Sequence, residues 1–336
     1  MYRKTTEQQT TETALSAKNM LMMEETEENQ SQTLGIRLGK YLLVRSLGQG
    51  GEGSVYLAKD EHLQRFVAIK CIRRRETDEL EAGEEEKIMR EANYLQRLEH
   101  PMLPVVYDLF EDTEGVWYLV MEYIQGVNLH EYIERNGCVQ DVQARVWAKQ
   151  LADVLEYLHS RKPPVIYTDL KPDNIMVCPD SKLRLVDFGA ALTRSFGSDR
   201  RTAMAVTPGY GAPEQWDAVN GRLSDTGQGY MKRELYADER SDIYALGKVL
   251  YYMVTGADPA KPPYTALPIY EYQPLLGDDL EVIIRKCIRQ EPDRRYQTVE
   301  EVQRDLHGGV RRKQRRRRKD FIRMVEKRVW LTEGEL

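Results

Sequence analysis

Residues 165–189 read VIYTDLKPDNIMVCPDSKLRLVDFG, and this stretch decides the fold class. A polar loop lies between two apolar runs, and a further apolar run ends in an acid, Asp187. Loops between buried strands carry functional groups on a rigid scaffold. Asn174 and Asp187 offer the oxygen ligands that magnesium prefers, and Asp169 is placed to accept a proton. Singly, each residue also fits a capped turn or a solvated loop, but their joint order and spacing favour a catalytic site.

A glycine-rich segment lies upstream at residues 48–55, where GQGGEGSV fits the pattern GxGxxGxV. Glycine lets the backbone approach a phosphate and point N–H groups at it without a side-chain clash. The pattern alone also fits a glycine-rich hairpin turn. The β-like stretch that follows, SVYLA, argues against a dinucleotide-binding fold, in which the glycines open a helix.

A lysine on an apolar strand follows the glycine segment. Lys70 ends the run Val67-Ala68-Ile69-Lys70, seventeen residues after the last glycine. Because its flanks are apolar and predicted to be buried, this lysine needs a compensating anion, either a phosphate or a carboxylate. Glu91, on a charged helix predicted for residues 84–98, is the carboxylate that we expect beside it.

The order of the periodic patterns predicts an α+β fold with two lobes. β-like patterns cover residues 41–71, 105–112 and 116–123, whereas helical patterns cover residues 128–136 and 140–160. The change of character falls near residues 122–126. A β-rich lobe therefore precedes a mainly helical lobe.

Composition excludes several classes of protein. The hydrophobic fraction of 41% is sufficient for a packed core. Four separated cysteines without a CxxC pair argue against a zinc site or a disulfide framework and fit a reducing compartment. No apolar run is long enough to span a membrane, and no signal-peptide core follows the N-terminus, so a cytoplasmic location is expected.

Together the glycine loop, VAIK, the helix glutamate, DLKPDN, DFG and APE resemble the eukaryotic-type serine/threonine protein kinases, most of all their bacterial, Firmicute-like members. The resemblance covers about residues 38–308. It implies a kinase domain at 35–309, with an N-lobe at 35–123 and a C-lobe at 124–309. We expect a disordered segment at 1–34 and a basic tail or helix at 310–336.

The resemblance also implies ATP and Mg²⁺ as cofactors and a role for each motif residue. The expected nucleotide site comprises Gly48, Gly50 and Gly53 over the phosphates, Lys70 with Glu91 at the α- and β-phosphates, Val55, Ala68 and Met176 around the adenine, Met121 as gatekeeper, Glu122 to Ile124 as hinge, and Asn128 at the ribose. The expected catalytic residues are Asp169 as base and Lys171 at the γ-phosphate, and the expected metal ligands are Asn174 and Asp187.

Further motif residues imply the substrate class. The first two below indicate serine and threonine hydroxyls, and the others separate a protein kinase from small-molecule phosphotransferases with a similar core. Lys171 and Thr207 match the serine/threonine pattern, whereas tyrosine kinases usually have alanine or arginine in place of that lysine. Glu214 of the APE motif is expected to pair with Arg295. Asp242 matches the helix acid that braces the catalytic loop.

The catalytic loop departs from the family pattern, with Tyr167-Thr168 where His-Arg is most common. Without the arginine, a phosphate on the activation loop loses its bidentate clamp. We therefore predict that activity does not depend on phosphorylating the loop hydroxyls Thr193, Ser195, Ser198 and Thr202. Extra polar sequence at 217–235 is interpreted as a surface insertion, with substrate docking as the alternative.

The segment 311–319, RRKQRRRRK, is basic at eight of nine positions although the net charge of the chain is −5. It fits a helix packed on the second lobe, contact with an anionic membrane, or binding of nucleic acid. No aromatic residues are interleaved for base stacking, so nucleic acid ranks last of the three. The main alternative to an enzyme, a kinase-shaped binding module, typically lacks the residues retained here as Lys70, Asp169 and Asp187.

Overall fold

The computed structural model describes residues 35–50, 53–72, 97–113, 115–187, 206–219, 237–262, 268–273 and 276–308. The chain divides into two compact units. The first contains the described residues up to Gly126 together with those from Arg184 to Asp187, and the second contains the remainder.

The first unit is built on a six-stranded antiparallel sheet. Its strands are β1 (Arg37–Leu38), β2 (Tyr41–Gly50), β3 (Gly53–Asp60), β4 (Arg65–Ile72), β5 (Val106–Glu111) and β6 (Trp117–Glu122), in the spatial order β1-β2-β3-β4-β6-β5. The three predicted β-like regions are therefore confirmed as strands. The helix predicted for residues 84–98 lies outside the described residues except at its last two positions.

Alternation along β4 explains how the motif VAIK serves both faces of this sheet. Val67, Ile69 and Cys71 point into an apolar core that also contains Leu43 and Tyr118. Because successive strand residues point to opposite faces, Ala68 and Lys70 lie on the other face.

The second unit is mainly helical. Its elements are β7 (Val127–Asn128), α1 (Leu129–Asn136), α2 (Asp141–His159), β8 (Ile175–Val177), α3 (Pro213–Val219), α4 (Glu239–Thr255), α5 (Asp278–Cys287) and α6 (Val299–Gly308). Strand β9 (Leu183–Leu185) follows β8 in a three-stranded sheet of order β7-β8-β9, and there the chain passes from the second unit to the first. The helices predicted from the patterns at 128–136 and 140–160 are confirmed as α1 and α2.

Helix α4 forms the interior of the second unit. Every residue from Ser241 to Thr255 is buried, so the helix is covered on all sides, and it packs against α2 and α5. Asp238 caps its first turn through a capping box, and Gly256 ends it with φ 68° in the left-handed region. The confirmed fold class is thus α+β, with a β-rich first lobe and a helical second lobe.

Within the described part of the chain, no helix combines the length and apolar character needed to cross a membrane.

Candidate functional site

The predicted lysine of the first unit is buried and paired. The ammonium of Lys70 lies 2.6 Å from Oδ1 of Asp187, and its side chain is only 8% exposed. Register in the sheet places Lys70 opposite Val55 on β3 and Leu119 on β6. The prediction that this lysine requires an anion is confirmed, because Asp187 supplies one. The predicted partner Glu91 lies outside the described residues.

The glycine segment forms the β2–β3 hairpin, with Gly48 opposite Val55 and Gly50 opposite Gly53. Gly53 has φ 137°, and a Cβ built there would collide with the carbonyl oxygen of Cys71. At Gly48 a Cβ would meet open space. Glycine at 53 is therefore required by the strand packing itself.

The predicted hinge begins at the end of β6. Met121 is opposite Ala68 in the sheet, and Ile124 is buried. The carboxylate of Glu122 forms a bidentate pair with Arg184, at 2.6 and 3.2 Å, and also accepts from the backbone N–H of Val105. Sequence reasoning missed Arg184, because a basic residue within a three-residue strand carries no local signal of its partner.

The predicted catalytic residues of the second unit form one hydrogen-bonded cluster. Asp169 accepts from the Lys171 ammonium at 2.7 Å and from the Thr207 hydroxyl at 2.6 Å, on different carboxylate oxygens. Lys171 lies 3.3 Å from the Thr207 hydroxyl oxygen. The carboxylate of Asp169 therefore contacts both a cation and the hydroxyl of a residue that is 38 positions away in the sequence.

Asn174 joins this cluster through its amide nitrogen, which donates to the backbone oxygen of Asp169 at 2.9 Å and to its carboxylate at 3.1 Å. The side-chain oxygen of this buried asparagine accepts no hydrogen bond from the described residues. A neutral amide oxygen of this kind suits magnesium, as does the carboxylate of Asp187 in the first unit. The donor chemistry of both residues thus fits the predicted ion.

Met176, predicted at the adenine, lies on β8 opposite Asn128 on β7. The side chain of Asn128 accepts from the backbone N–H of Glu131 and caps α1. The structure therefore gives Asn128 a structural role that the sequence interpretation did not include.

Asp242 braces the catalytic loop, as predicted. This fully buried carboxylate accepts from the backbone N–H groups of Tyr167 and Thr168, both at 2.7 Å. It also lies 2.8 Å from Nε2 of His159, the last residue of α2. Sequence reasoning missed His159, since a histidine at a helix end more simply indicates a favourable interaction with the helix dipole.

The predicted pair of Glu214 and Arg295 is confirmed. Both carboxylate oxygens accept from the guanidinium, at 2.7 and 2.8 Å, and both side chains are buried. Ser241 donates a further hydrogen bond to Glu214 at 2.7 Å. A buried cation is costly if any of its donors is left without an acceptor. The remaining guanidinium N–H groups donate to the backbone carbonyls of Arg240, Arg289 and Gln290, so none is unsatisfied.

Sequence reasoning also missed a tyrosine that lies three residues after Thr207. Tyr210 donates to Asp258 at 3.0 Å, and burial together with that carboxylate raises the pKa of its phenol well above the ordinary value. The phenol therefore stays a neutral donor and ties the segment after Thr207 to the chain near Pro259.

The predicted site residues thus fall into two sets, one in each unit. Lys70 and Asp187 are in contact in the first unit, and Asp169, Lys171 and Asn174 are in contact in the second. The four candidate phosphorylation positions between 193 and 202, most of the 217–235 insertion and the basic segment 311–319 lie outside the described residues.

Comparison with known proteins gives one consistent result. The sequence matches the protein kinase domain family over residues 41–318. It is 30% identical over 309 residues to the serine/threonine-protein kinase PrkC of Bacillus subtilis, which covers 88% of this chain and 43% of that protein. It is 31% identical over 299 residues to the serine/threonine-protein kinase PknB of Mycobacterium tuberculosis, covering 80% of this chain and 43% of that protein. The chain therefore spans about two fifths of the length of these relatives.

Among solved structures, the PknI kinase domain of Mycobacterium tuberculosis aligns with a TM-score of 0.58 at 21% identity. The alignment covers 82% of this chain and 98% of that one. At this identity the likeness supports the fold alone.

Proposed function

Because the chain belongs to the protein kinase family, we propose that it transfers the γ-phosphoryl group of ATP to serine and threonine hydroxyls of protein substrates. The observation that carries this proposal is the cluster of Asp169, Lys171 and Thr207. The printed names of its relatives PrkC and PknB, both serine/threonine-protein kinases, support the same substrate class.

In the proposed reaction a substrate hydroxyl attacks the γ-phosphorus. A new oxygen–phosphorus bond forms, the bond to the β-phosphate oxygen breaks, and ADP leaves. Asp169 receives the hydroxyl proton, since its carboxylate is held in place by three donors and only a fifth of its side chain is exposed. Lys171 donates to the phosphoryl oxygens as the group transfers.

The proposed contacts to ATP and magnesium are assigned from the chemistry of the site residues in each unit. Lys70, whose buried ammonium lies 2.6 Å from Asp187, would also bind the ATP phosphates, since an ammonium has three N–H donors. The amide oxygen of Asn174 and the carboxylate of Asp187 are each proposed as a magnesium ligand, and the ion would neutralise charge on the phosphates when it is bound. We assign the adenine to the hinge side of β6, near Met121 and Ile124.

The test compares wild type with Asp169→Asn, using radiolabelled ATP and a general protein substrate such as casein. We expect phosphate on serine and threonine with wild type, loss of transfer in the variant, and retained binding of a fluorescent ATP analogue. The matched control is Asp180→Asn, an exposed carboxylate paired with Lys182, which should transfer phosphate normally. An Asp169→Asn variant as active as wild type, or phosphate found only on tyrosine, contradicts the proposal.

We also propose a cytoplasmic location, which the four free cysteines support.

For the basic segment 311–319 we propose contact with an anionic membrane, on the strength of its sequence alone. Each basic residue near such a surface contributes about 1 kcal/mol of attraction, which salt screens. Wild type should co-sediment with phosphatidylserine vesicles at low salt and not at high salt, and a variant lacking residues 310–336 should not co-sediment at either. Equal sedimentation of both forms excludes this role.

A further inference from the structure

Five buried residues of the second unit form a closed ring, which we call the buried ring: Thr168, Glu214, Gln215, Ser241 and Asp242. None is more than 7% exposed. Ser241 donates to Glu214 at 2.7 Å, the backbone N–H of Thr168 donates to Asp242 at 2.7 Å, and Gln215 donates to the carbonyl of Thr168 at 3.1 Å. The peptide links 214–215 and 241–242 close the ring.

Gln215 is the member that joins the APE segment to the catalytic loop. Its amide nitrogen binds the carbonyl oxygen of Thr168, and its amide oxygen accepts from the backbone N–H of Ala212 at 2.8 Å. Because both ends of this buried carboxamide are engaged, its orientation is fixed, and the hydrogen bond to Thr168 is directed rather than incidental.

Thr168 is the residue immediately before the proposed base, and it is held by its backbone. Its φ of 68° lies in the left-handed region, which is a genuine outlier for a β-branched residue. Such a conformation persists where the surroundings over-determine it. Here Asp242 fixes the N–H and Gln215 fixes the carbonyl, whereas the buried hydroxyl has no hydrogen-bond partner among the described residues.

Gln215 therefore holds the carbonyl end of the peptide group between Thr168 and Asp169, and the N–H end of that group donates to the carbonyl of Tyr167 at 2.9 Å. The two hydrogen bonds together fix the orientation of the peptide group. That orientation sets the direction in which the Asp169 side chain leaves the loop. The same segment reaches Asp169 a second time, through the Thr207 hydroxyl. Two contacts, one on the backbone and one on the carboxylate, join the 206–216 segment to the proposed base.

We propose that Gln215 is a positioning residue for Asp169. It takes the place of the clamp that an arginine at position 168 would form with a phosphate on the activation loop. The link between the APE segment and the catalytic loop is then permanent rather than formed on phosphorylation. This inference rests on the proposed kinase function.

The experiment compares two near-isosteric variants in the full-length protein. Gln215→Met removes both polar ends, and Gln215→Glu keeps an acceptor for Ala212 but donates to Thr168 only when the introduced carboxyl is protonated. We expect Gln215→Met to lower kcat by about tenfold with KM for ATP unchanged, which corresponds to one lost buried hydrogen bond. Gln273→Met is the matched control, since that glutamine binds Cys138 instead, and its kcat should equal that of wild type.

Gln215→Glu supplies a readout that a merely structural role would not change. Burial and a carbonyl acceptor raise the pKa of the introduced carboxyl, so its kcat relative to wild type should increase as pH falls from about 8.5 to about 6. Asp242 with His159, Glu214 with Arg295, and Asp169 with Lys171 are the ionisable groups around the ring. They are present in both proteins, so wild type measured over the same pH range is the reference for the variant.

The possible outcomes distinguish failure of the role of Gln215 from failure of the proposed kinase function. If wild type is active and Gln215→Met is folded with the same kcat, the role of Gln215 is overturned and the kinase function is not. A ratio of Gln215→Glu kcat to wild-type kcat that does not change with pH also overturns the role of Gln215. This ratio is the deciding measurement if a thermal unfolding experiment shows that Gln215→Met is not folded. Inactive wild type overturns the proposed function and this inference together.

Discussion

The hydroxyl of Thr207 donates a 2.6 Å hydrogen bond to Oδ1 of Asp169, across 38 positions of sequence. The other carboxylate oxygen of Asp169 accepts from Lys171 and from the amide of Asn174, so donors hold both oxygens of the carboxylate. This arrangement orients the proposed base and brings the segment after Val206 to the same point.

Thr207→Ala should lower the rate of phosphotransfer to a protein substrate by roughly 10- to 100-fold, because hydrogen bonds to charged groups contribute about 1.5–3 kcal/mol. Thr207→Ser keeps the hydroxyl and should retain most of the rate, and ATP affinity should be the same in both. Steady-state kinetics with fluorescent-nucleotide titration measures this. Thr298→Ala, at an exposed helix start, is the control. Full activity in Thr207→Ala would show that the hydroxyl has no part in catalysis.

Replacing Thr193, Ser195, Ser198 and Thr202 together by alanine should leave turnover within about threefold of wild type. The reason is that Thr168 is buried and carries no guanidinium to bind a phosphate there. Phosphatase-treated wild type should behave the same way, and mass spectrometry verifies its phosphorylation state. A loss of about tenfold or more would refute this prediction.

Glu214→Gln should reduce the free energy of unfolding by about 3–5 kcal/mol, since it leaves the buried Arg295 guanidinium without its carboxylate. Urea denaturation followed by circular dichroism measures the change. Glu291→Gln tests an exposed pair with Arg294 at 3.9 Å and should cost less than about 1 kcal/mol. Equal effects of the two substitutions would mean that burial of the pair is energetically irrelevant.

Lys248→Met should raise the free energy of unfolding at pH 7 by about 1 kcal/mol, because a buried ammonium is replaced by an apolar chain of similar length. Burial lowers the pKa of Lys248 below its ordinary value of 10.5. The folded state is therefore penalised while the unfolded lysine is protonated, and wild-type stability recovers as pH rises toward that value.

The gain from Lys248→Met should accordingly shrink between pH 7 and about pH 10.5. Urea unfolding of both proteins at several pH values measures the difference. Lys261→Met, at a side chain that is 64% exposed, should give no gain at any pH. A gain for Lys248→Met that is constant with pH would contradict the assignment to charge burial.

Local patterns were sufficient for much of the fold. The apolar run VAIK predicted a strand with buried residues beside Lys70, and the structure places Val67 and Ile69 in the core. The helical period at 140–160 predicted α2 within a residue at each end. Both predictions succeed because the period of a single element determines which of its side chains share a face.

Contacts between remote elements were predictable only through the family resemblance. The pair of Glu214 and Arg295 is 81 positions apart, and no local pattern encodes it. The contact of His159 with Asp242 and the bond from Gln215 to Thr168 were not predicted at all. Each depends on where two separately formed segments meet, which hydrophobic periodicity does not specify.

The steric situation of Gly53 affects how substitutions in the glycine loop should be interpreted. Any side chain at this position would push β3 away from β4, one residue beyond Lys70, whatever the loop binds. An inactive alanine variant at 53 would therefore report damage to the hairpin. Gly48, where a methyl group fits without displacing anything, is the position at which mutagenesis can examine nucleotide contact separately from strand geometry.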